Sequence, residues 1–433
     1  MTLPERLSLR EDLGAADSGL VTDGERDAAT GSTNMTSGRL AVVVRDVVCI
    51  FVIALTAFLV TDDIRASVSG GSLGFDFRGT LWEPAEAILA GASPYPRVIA
   101  SEVEVGNPAL YPPLLMLGVM PLTALPWGVG LALWLAILSA ALVGALYVLG
   151  VRDVRCYALA LLSVPAINGL SWGNATLFLV LLVALAWRLR DRPLPSGLIV
   201  GLAIASKLFL WPLVLWLLGT RRYGAAATAL ATTLVGIFGS WAIIGFDGLK
   251  TYPDLLRLAE DIYAVHGYSV ATMASALGVA TEAATWLALL LGATLAAAAF
   301  LIGRTSRDEF SLSMAVVAAI LGSPILWEYY YVLIFVPLAI LSPRFSTLWL
   351  IPAAFYATHL LPRPRLFADE LEPGGSACCK PDGVPMASWV FNHAPPGLWP
   401  ALGHALLAMT IVALAILVAR RQQIPDEPAR SPS

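Results

Sequence analysis

Charged residues are scarce in this chain, and their scarcity indicates its class. Only 13% of the 433 residues are Asp, Glu, Lys or Arg, whereas 58% are hydrophobic. Soluble domains usually carry about a quarter charged residues, so one ordinary core cannot hide this much apolar surface. Much of the outer surface must therefore face lipid, which makes the bilayer a predicted partner. The net charge of −4 gives no reason to expect a nucleic-acid partner.

Metal-ligand and nucleotide-binding patterns are also lacking. The four cysteines have no metal-site spacing, and the adjacent Cys378 and Cys379 are interpreted as an ordinary loop dithiol. No Gly-rich phosphate loop precedes a soluble helix, which argues against a cytoplasmic sugar-nucleotide site. No cofactor or metal is predicted, although binding of a divalent cation by Asp62, Asp63 and Glu86 stays open as an alternative.

Arginine clusters divide the hydrophobic sequence into membrane spans. Lys and Arg are enriched in cytoplasmic loops, so the chain must cross the bilayer an even number of times between consecutive clusters. This rule predicts an all-α membrane protein, a polytopic helical bundle with about 12 transmembrane helices and both termini in the cytoplasm. The predicted external loops, 62–126, 246–283 and 362–397, are long and the cytoplasmic connections short, which indicates a function on the external face.

The predicted organisation has four parts. Residues 1–38 are polar and lack the apolar core of a signal peptide, so they are interpreted as a disordered cytoplasmic tail. Residues 39–345 form the main transmembrane module, beginning with a span at Ala41 to Thr61. Residues 346–421 form C-terminal transmembrane helices, and 422–433 form a second cytoplasmic tail.

Three further segments have a predicted placement in the membrane. Pro112 to Leu125 is too short to span and is placed as a re-entrant segment in the outer leaflet. Cys156 to Leu170 is expected to be one span. Between Arg192 and Arg221, a single span is the simpler interpretation by length. The even number of crossings expected between arginine clusters instead favours two short half-helices with a turn near Lys207 and Pro212.

The first external loop contains a predicted amphipathic helix. Its apolar residues at 81, 82, 85, 88 and 89 have helical spacing, so the sequence predicts a helix over 78–90 on the membrane surface, with Gly91 as its C-cap. Asp76 would lie just before the N-terminus. From the pattern alone, a helix cap is a simpler role for Asp76 than catalysis.

Lys207 interrupts the otherwise apolar stretch 197–218. A lysine at the centre of a membrane helix costs about 2.5–3.5 kcal/mol, and such residues usually serve function. The alternative is a lysine that snorkels to the membrane interface.

Several motifs, in order along the chain, resemble glycosyltransferase family 87, the polyprenyl-phosphate-mannose-type enzymes of the GT-C superfamily. The run from Asp76-Phe77 to Ser93-Pro94-Tyr95 resembles the first-loop motif of the family, and Tyr111-Pro112-Pro113-Leu114 resembles its second motif. Further segments that resemble family motifs are Gly173-Asn174, Gly201 with Lys207 and Pro212, and Ser323-Pro324-Ile325-Leu326-Trp327.

The resemblance implies a GT-C-like bundle and an inverting glycosyltransferase of the cell membrane, active on the extracytoplasmic face. The implied donor is a polyprenyl-phosphate sugar, with mannose as the sugar, and the implied acceptor is a glycolipid or lipid-linked glycan. Asp76 would act as general base, and Lys207, Arg78 and Arg257 would hold the donor phosphate. The other residues expected in the substrate cavity are Glu83, Tyr95, Tyr111, Asn174, His266, Trp327, Glu328 and Tyr329.

The chain departs from the family after Trp327, where relatives typically carry histidines and this sequence reads Glu328-Tyr329-Tyr330-Tyr331. If a histidine assists the catalytic carboxylate in relatives, that role is vacant here or is filled by Glu328 or His266. Arabinofuranosyl transfer stays open as an alternative to mannosyl transfer. A lipid or small-solute transporter is the main rival class, although transporters usually have broken helices in two related halves. A non-catalytic membrane scaffold is a third possibility.

The orientation can be tested at Ser93, which belongs to the predicted first external loop. Because Cys378 and Cys379 fall in the predicted external loop 362–397, both are first replaced by serine. A cysteine then introduced at position 93 is expected to react with a membrane-impermeant thiol reagent on intact cells. Protection of that cysteine would reverse the predicted orientation.

Overall fold

The computed structural model describes residues 43–55, 73–99, 107–263, 267–305 and 307–350, with the single residues 65, 103 and 352. These residues contain helices and no β-strand, which confirms the all-α expectation for this part of the chain. The chain divides into two compact units, residues 1–50 and 51–433. In the first unit, residues 43–50 are helical, and Arg45 and Asp46 form an ion pair of 2.8 Å.

The second unit is a succession of helices, many of them short. Its described α-helices are α1 (Phe75–Phe77), α2 (Glu83–Leu89), α3 (Leu114–Val119), α4 (Trp127–Val148), α5 (Val154–Leu161), α6 (Val164–Ser171), α7 (Thr176–Arg188), α8 (Pro193–Ser206), α9 (Pro212–Gly219), α10 (Tyr223–Ile243), α11 (Tyr252–Tyr263), α12 (Val270–Ala276), α13 (Thr281–Gly303), α14 (Asp308–Leu321) and α15 (Phe335–Leu341). A π-helical turn, Arg78–Trp82, joins α1 to α2. The 3₁₀ segments are Met120–Ala124, Leu208–Leu210, Glu328–Ile334 and Thr347–Leu350.

Three of the described helices, α4, α10 and α13, are long and apolar enough to cross a bilayer. Helices α5 and α6 together make a fourth candidate, bent by 56°. The predicted count of about 12 transmembrane helices is not confirmed. Most of the predicted module 346–421, including the loop 362–397, lies outside the described residues. The same holds for the first tail and for residues 62–72 of the predicted external loop 62–126, except residue 65.

Two of the predicted membrane segments are broken in the structure. Cys156 to Leu170 does not form one continuous helix, because Ser163 starts a new helix by accepting a hydrogen bond from the Ala166 N–H at 3.3 Å, and Pro165 occupies the first turn. The expected break near Lys207 and Pro212 is confirmed. Helix α8 ends at Ser206, Lys207 is extended (φ −146°, ψ 110°), and Pro212 begins α9.

The first-loop helix begins earlier than predicted. It starts at Phe75 rather than at residue 78, because the N–H groups of Gly74 and Phe77 donate to the carbonyls of Ser171 (2.7 Å) and Trp172 (3.1 Å). These tertiary bonds satisfy donors that a helix start otherwise leaves unpaired. Asp76 therefore lies inside the first turn and makes no capping bond, so the helix-cap interpretation of Asp76 is wrong.

Aromatic packing and one glycine fix the position of this first turn. The Phe77 ring stacks on Trp134 and Trp127, with centroids 5.0 and 5.7 Å apart. Gly173 has φ +68°, and a Cβ at that position would lie 2.7 Å from the Cβ of Phe77. Only glycine adopts this conformation and permits this approach at low cost. The turn before α7 is thereby held directly against the helix that carries Asp76.

Candidate active site

Asp76 and Lys207 line one cavity of about 350 Å³. Both side chains are almost completely buried, with 4% and 3% of their surface exposed. The sequence hypothesis requires these two residues to share a cavity, and the structure brings them together. Other predicted site residues in the cavity wall are Tyr111, Trp327 and Tyr329.

Two asparagine side chains hold the carboxylate of Asp76. Asn107 Nδ2 donates to Oδ1 at 3.1 Å, and Asn174 Nδ2 donates to Oδ2 at 2.7 Å. The carboxylate is thus oriented by one amide on each oxygen. Tyr329, one of the predicted residues, also lies close enough to Asp76 to interact with it electrostatically.

Asn107 was not among the predicted site residues. It has a left-handed backbone (φ 43°), which asparagine tolerates better than most residues. Its carbonyl would lie 2.9 Å from a Cβ at Gly79, so the glycine in the π-helical turn permits this close approach. The sequence signal for this residue is the Asn107-Pro108 pair, which favours a turn.

Asn174 joins the buried carboxylate to the buried lysine. While its Nδ2 donates to Asp76, its Oδ1 accepts a hydrogen bond from Lys207 Nζ at 3.1 Å. The same oxygen accepts from the N–H (2.9 Å) and the hydroxyl (2.6 Å) of Thr176. The two charges are therefore connected through a single amide, which is fixed by the first turn of α7.

Lys207 is enclosed by polar and aromatic groups. Its Nζ also donates to Thr176 Oγ1 at 2.9 Å, and it lies 4.5 Å from the ring centre of Tyr111 and 4.1 Å from that of Tyr330. Desolvated cation–π contacts of this kind are worth about 2 kcal/mol or more. The snorkelling interpretation is wrong for this lysine, because its ammonium group points into the protein cavity.

Tyr95 supports the wall without lining it. Its hydroxyl donates to the carbonyl of Tyr111 at 2.8 Å, and its ring stacks on Trp241 with a centroid distance of 4.9 Å. Burial raises the pKa of the Tyr95 hydroxyl far above its usual value, so the group stays a neutral donor. Tyr95 thus acts on the cavity by holding the backbone beside the Tyr111 ring.

Several predicted residues lie elsewhere. Arg78 and Glu83 form a solvent-exposed pair (2.9 Å), and Arg257 pairs with Asp254 (2.9 Å) on an exposed face; none of these side chains belongs to the cavity wall. Glu328 also lies outside the wall, where it accepts a hydrogen bond from Asn168.

Two further sequence expectations cannot be placed. His266 lies outside the described residues, as do Asp62 and Asp63. Within the part of the chain that the structure describes, no group of three His, Cys, Asp or Glu side chains is arranged to hold a metal ion.

The fold and the site together define a helical membrane protein with a buried carboxylate–amide–lysine constellation at one cavity. The sequence profile described as glycosyltransferase family 87 matches residues 109–325, about half of the chain. The chain therefore belongs to glycosyltransferase family 87, and the family predicted from its motifs is confirmed.

One curated relative is a polyprenol-phosphate-mannose-dependent alpha-(1-2)-phosphatidylinositol pentamannoside mannosyltransferase from Mycolicibacterium smegmatis. It is 30% identical over an alignment of 193 residues, and the match covers 41% of this chain and 46% of that protein. The match thus spans less than half of the relative. No solved structure matches the chain well enough for comparison.

The bridging role of Asn174 can be tested by its replacement with leucine. Asn174→Leu is expected to lower the thermal unfolding temperature of the purified protein, because it removes a buried hydrogen-bond partner from both Asp76 and Lys207. Each buried group left without a partner costs about 1–3 kcal/mol. Asn168→Leu is the matched control, since Asn168 donates one side-chain bond, to the partly buried Glu328. Equal destabilisation by the two variants would contradict the bridge.

Proposed function

We propose that this protein is a membrane-embedded, inverting glycosyltransferase. It moves a sugar, mannose, from a polyprenyl-phosphate donor to a hydroxyl group of a glycolipid or lipid-linked glycan. The reaction takes place on the extracytoplasmic face of the plasma membrane. The observation that carries the proposal is the single cavity that contains both the Asp76 carboxylate and the Lys207 ammonium group.

Asp76 acts as the general base on the acceptor. Its carboxylate takes the proton of the acceptor hydroxyl while that oxygen forms a bond to the anomeric carbon of the donor sugar. The bond between the anomeric carbon and the phosphate oxygen breaks, and its electron pair leaves with the polyprenyl phosphate. A single displacement of this kind inverts the configuration at the anomeric carbon.

Lys207 stabilises the departing phosphate. It carries the only cationic side chain in the cavity wall, as far as the structure describes it, and an ammonium group in a site poor in water stabilises developing negative charge strongly. The exposed Arg78 and Arg257 lie outside the wall, so the phosphate role falls to Lys207. Asn174 sets the separation between the base and this cation.

The comparison supports the donor class. The relative from Mycolicibacterium smegmatis is named as a polyprenol-phosphate-mannose-dependent phosphatidylinositol pentamannoside mannosyltransferase. A lipid donor also suits a cavity bordered by apolar side chains such as Leu208, Trp211 and Leu289.

The general-base assignment predicts the effect of Asp76→Asn. With radiolabelled polyprenyl-phosphate mannose and a glycolipid extract, purified wild-type protein in lipid is expected to form labelled glycolipid. Asp76→Asn is expected to lose roughly 10²–10⁴-fold in rate, because the amide cannot accept the proton. Asp254→Asn, at an exposed carboxylate outside the cavity, is the matched control. Equal transfer by Asp76→Asn and wild type would remove Asp76 from the chemistry, and a transporter would give no labelled product.

The phosphate role predicts a different signature for Lys207→Met. This variant is expected to lose roughly 10²-fold in kcat/KM for the polyprenyl-phosphate donor, since the charge on the leaving phosphate is no longer compensated. Lys250→Met makes the same substitution at an exposed lysine outside the cavity wall and is expected to behave as wild type. Similar losses in both variants would mean that general surface charge, rather than the cavity lysine, attracts the donor.

A further inference from the structure

Glu260 is a second carboxylate in the cavity, and the mechanism above gives it no role. It lines the same cavity as Asp76 and Lys207 and is partly buried. Within the described wall, Asp76 and Glu260 are the two carboxylates and Lys207 is the one ammonium group. The position of Glu260 therefore bears on what the cavity holds besides a phosphate.

The helix that carries Glu260 turns one face to the cavity. Four cavity-lining residues of α11 follow one another at intervals of three or four positions, which places them along one side of a helix: Tyr252, Leu256, Glu260 and Tyr263. The charged residues on the other positions, Asp254, Arg257 and Asp261, are exposed. Glu260 thus faces the cavity, whereas these three charged side chains are exposed.

One oxygen of Glu260 is tethered and the other is available. The Thr285 hydroxyl, on α13, donates to Oε1 of Glu260, while Oε2 has no hydrogen-bond partner among the residues that the structure describes. Leu289, one turn after Thr285, lines the same cavity. Burial, and to a smaller extent the charge of Asp261, raise the pKa of Glu260. A partly buried carboxylate with one free oxygen is well suited to accept a hydrogen bond from a neutral ligand.

We propose that Glu260 and Trp327 form a subsite that recognises the sugar of the acceptor. This assignment rests on the glycosyltransferase function proposed above. The free carboxylate oxygen accepts a hydrogen bond from a sugar hydroxyl, and the Trp327 ring offers an apolar face to the C–H groups of the sugar. Tyr263 links the two elements, because it lies one turn after Glu260 and contacts the Trp327 ring edge-to-face at 5.9 Å.

Charge and position favour the acceptor over the donor phosphate. A carboxylate repels a phosphate, so the phosphate belongs beside Lys207 and a hydroxyl-bearing group beside Glu260. Tyr263, on the same helix face as Glu260, lines the cavity that contains Asp76. With one sugar hydroxyl assigned to Asp76, the proposal places further hydroxyls of the same sugar beside Glu260 in this cavity.

The test uses octyl α-mannoside as the acceptor probe and polyprenyl-phosphate mannose as the donor. Glu260→Gln keeps the shape of the side chain and an oxygen for Thr285 but removes the charge. It is expected to raise the KM for octyl mannoside roughly 10-fold while the KM for the donor stays unchanged, as a charged hydrogen bond to the acceptor is weakened. Asp261→Asn, at the adjacent exposed carboxylate, is the matched control and should leave both KM values unchanged.

Monodeoxy octyl mannosides identify the hydroxyl that Glu260 binds. With the wild type, one monodeoxy compound is expected to show the same increase in KM that octyl mannoside shows with Glu260→Gln. With Glu260→Gln, that compound is expected to show no further increase in KM. An increase in the donor KM alone, or equal effects in Asp261→Asn, would overturn the acceptor assignment. The acceptor assignment would also be overturned if Glu260→Gln changed only the concentration of divalent cation that transfer requires.

Direct binding separates the failure of this subsite from the failure of the proposed function. Binding of radiolabelled octyl mannoside to protein in lipid nanodiscs, without donor, is measured by equilibrium dialysis for wild type and Glu260→Gln. Binding that depends on Glu260, without any transfer by the wild type, would overturn the glycosyltransferase proposal but leave the sugar subsite. If the wild type transfers sugar normally and Glu260→Gln changes neither mannoside binding nor the acceptor KM, the proposed subsite is overturned. The proposed glycosyltransferase function then still stands.

Discussion

The candidate site depends on the side-chain amide of Asn174, which lies between a buried carboxylate and a buried ammonium group. Two buried opposite charges each carry a desolvation cost of several kcal/mol and attract each other strongly at short range. The amide satisfies both, with 2.7 Å to Asp76 and 3.1 Å to Lys207, and gives the carboxylate and the ammonium group a shared neutral partner. Its own position follows from the Gly173 turn, so a local backbone feature determines the spacing of the two charges.

Several segments around this site depart from regular α-helix. They are the π-helical turn at Arg78–Trp82, the left-handed Asn107 and Gly173, the extended Lys207 and the 3₁₀ segment Glu328–Ile334. In a membrane protein, irregular backbone is tolerated where it is buried in protein or lines a polar cavity. The convergence of these irregular segments therefore locates the functional part of the fold independently of any side-chain chemistry.

Local signals in the sequence were sufficient to find the two charges and the break in the helix. Lys207 was conspicuous in an apolar stretch, Pro212 indicated a new helix, and the first-loop motif singled out Asp76. The prediction that Arg78 holds the donor phosphate overlooks helix geometry. Residues two apart on a helix point about 200° apart, so Arg78 does not face the same cavity as Asp76. Thr80, four positions after Asp76, is the residue that shares its face and lines the cavity.

Other parts of the site could not be predicted, because they depend on contacts between distant segments. Asn107 reaches Asp76 across 31 positions, and Glu260 accepts a hydrogen bond from Thr285, 25 positions further along the chain. The early start of the first-loop helix has the same origin, since its first donors bond to residues 171 and 172 rather than to a local cap. Periodicity describes one helix at a time and carries no information about these pairings.

The enclosure of Lys207 by two aromatic rings and an amide has a consequence for the end of the catalytic cycle. In the proposed reaction the donor is a phosphodiester, whereas the polyprenyl phosphate that leaves is a monoester and acquires a second ionisable oxygen. The same preorganised ammonium group therefore attracts the spent carrier lipid more strongly than the incoming one. Escape of that lipid from the lysine, rather than the bond-breaking step, is then expected to set the pace of turnover.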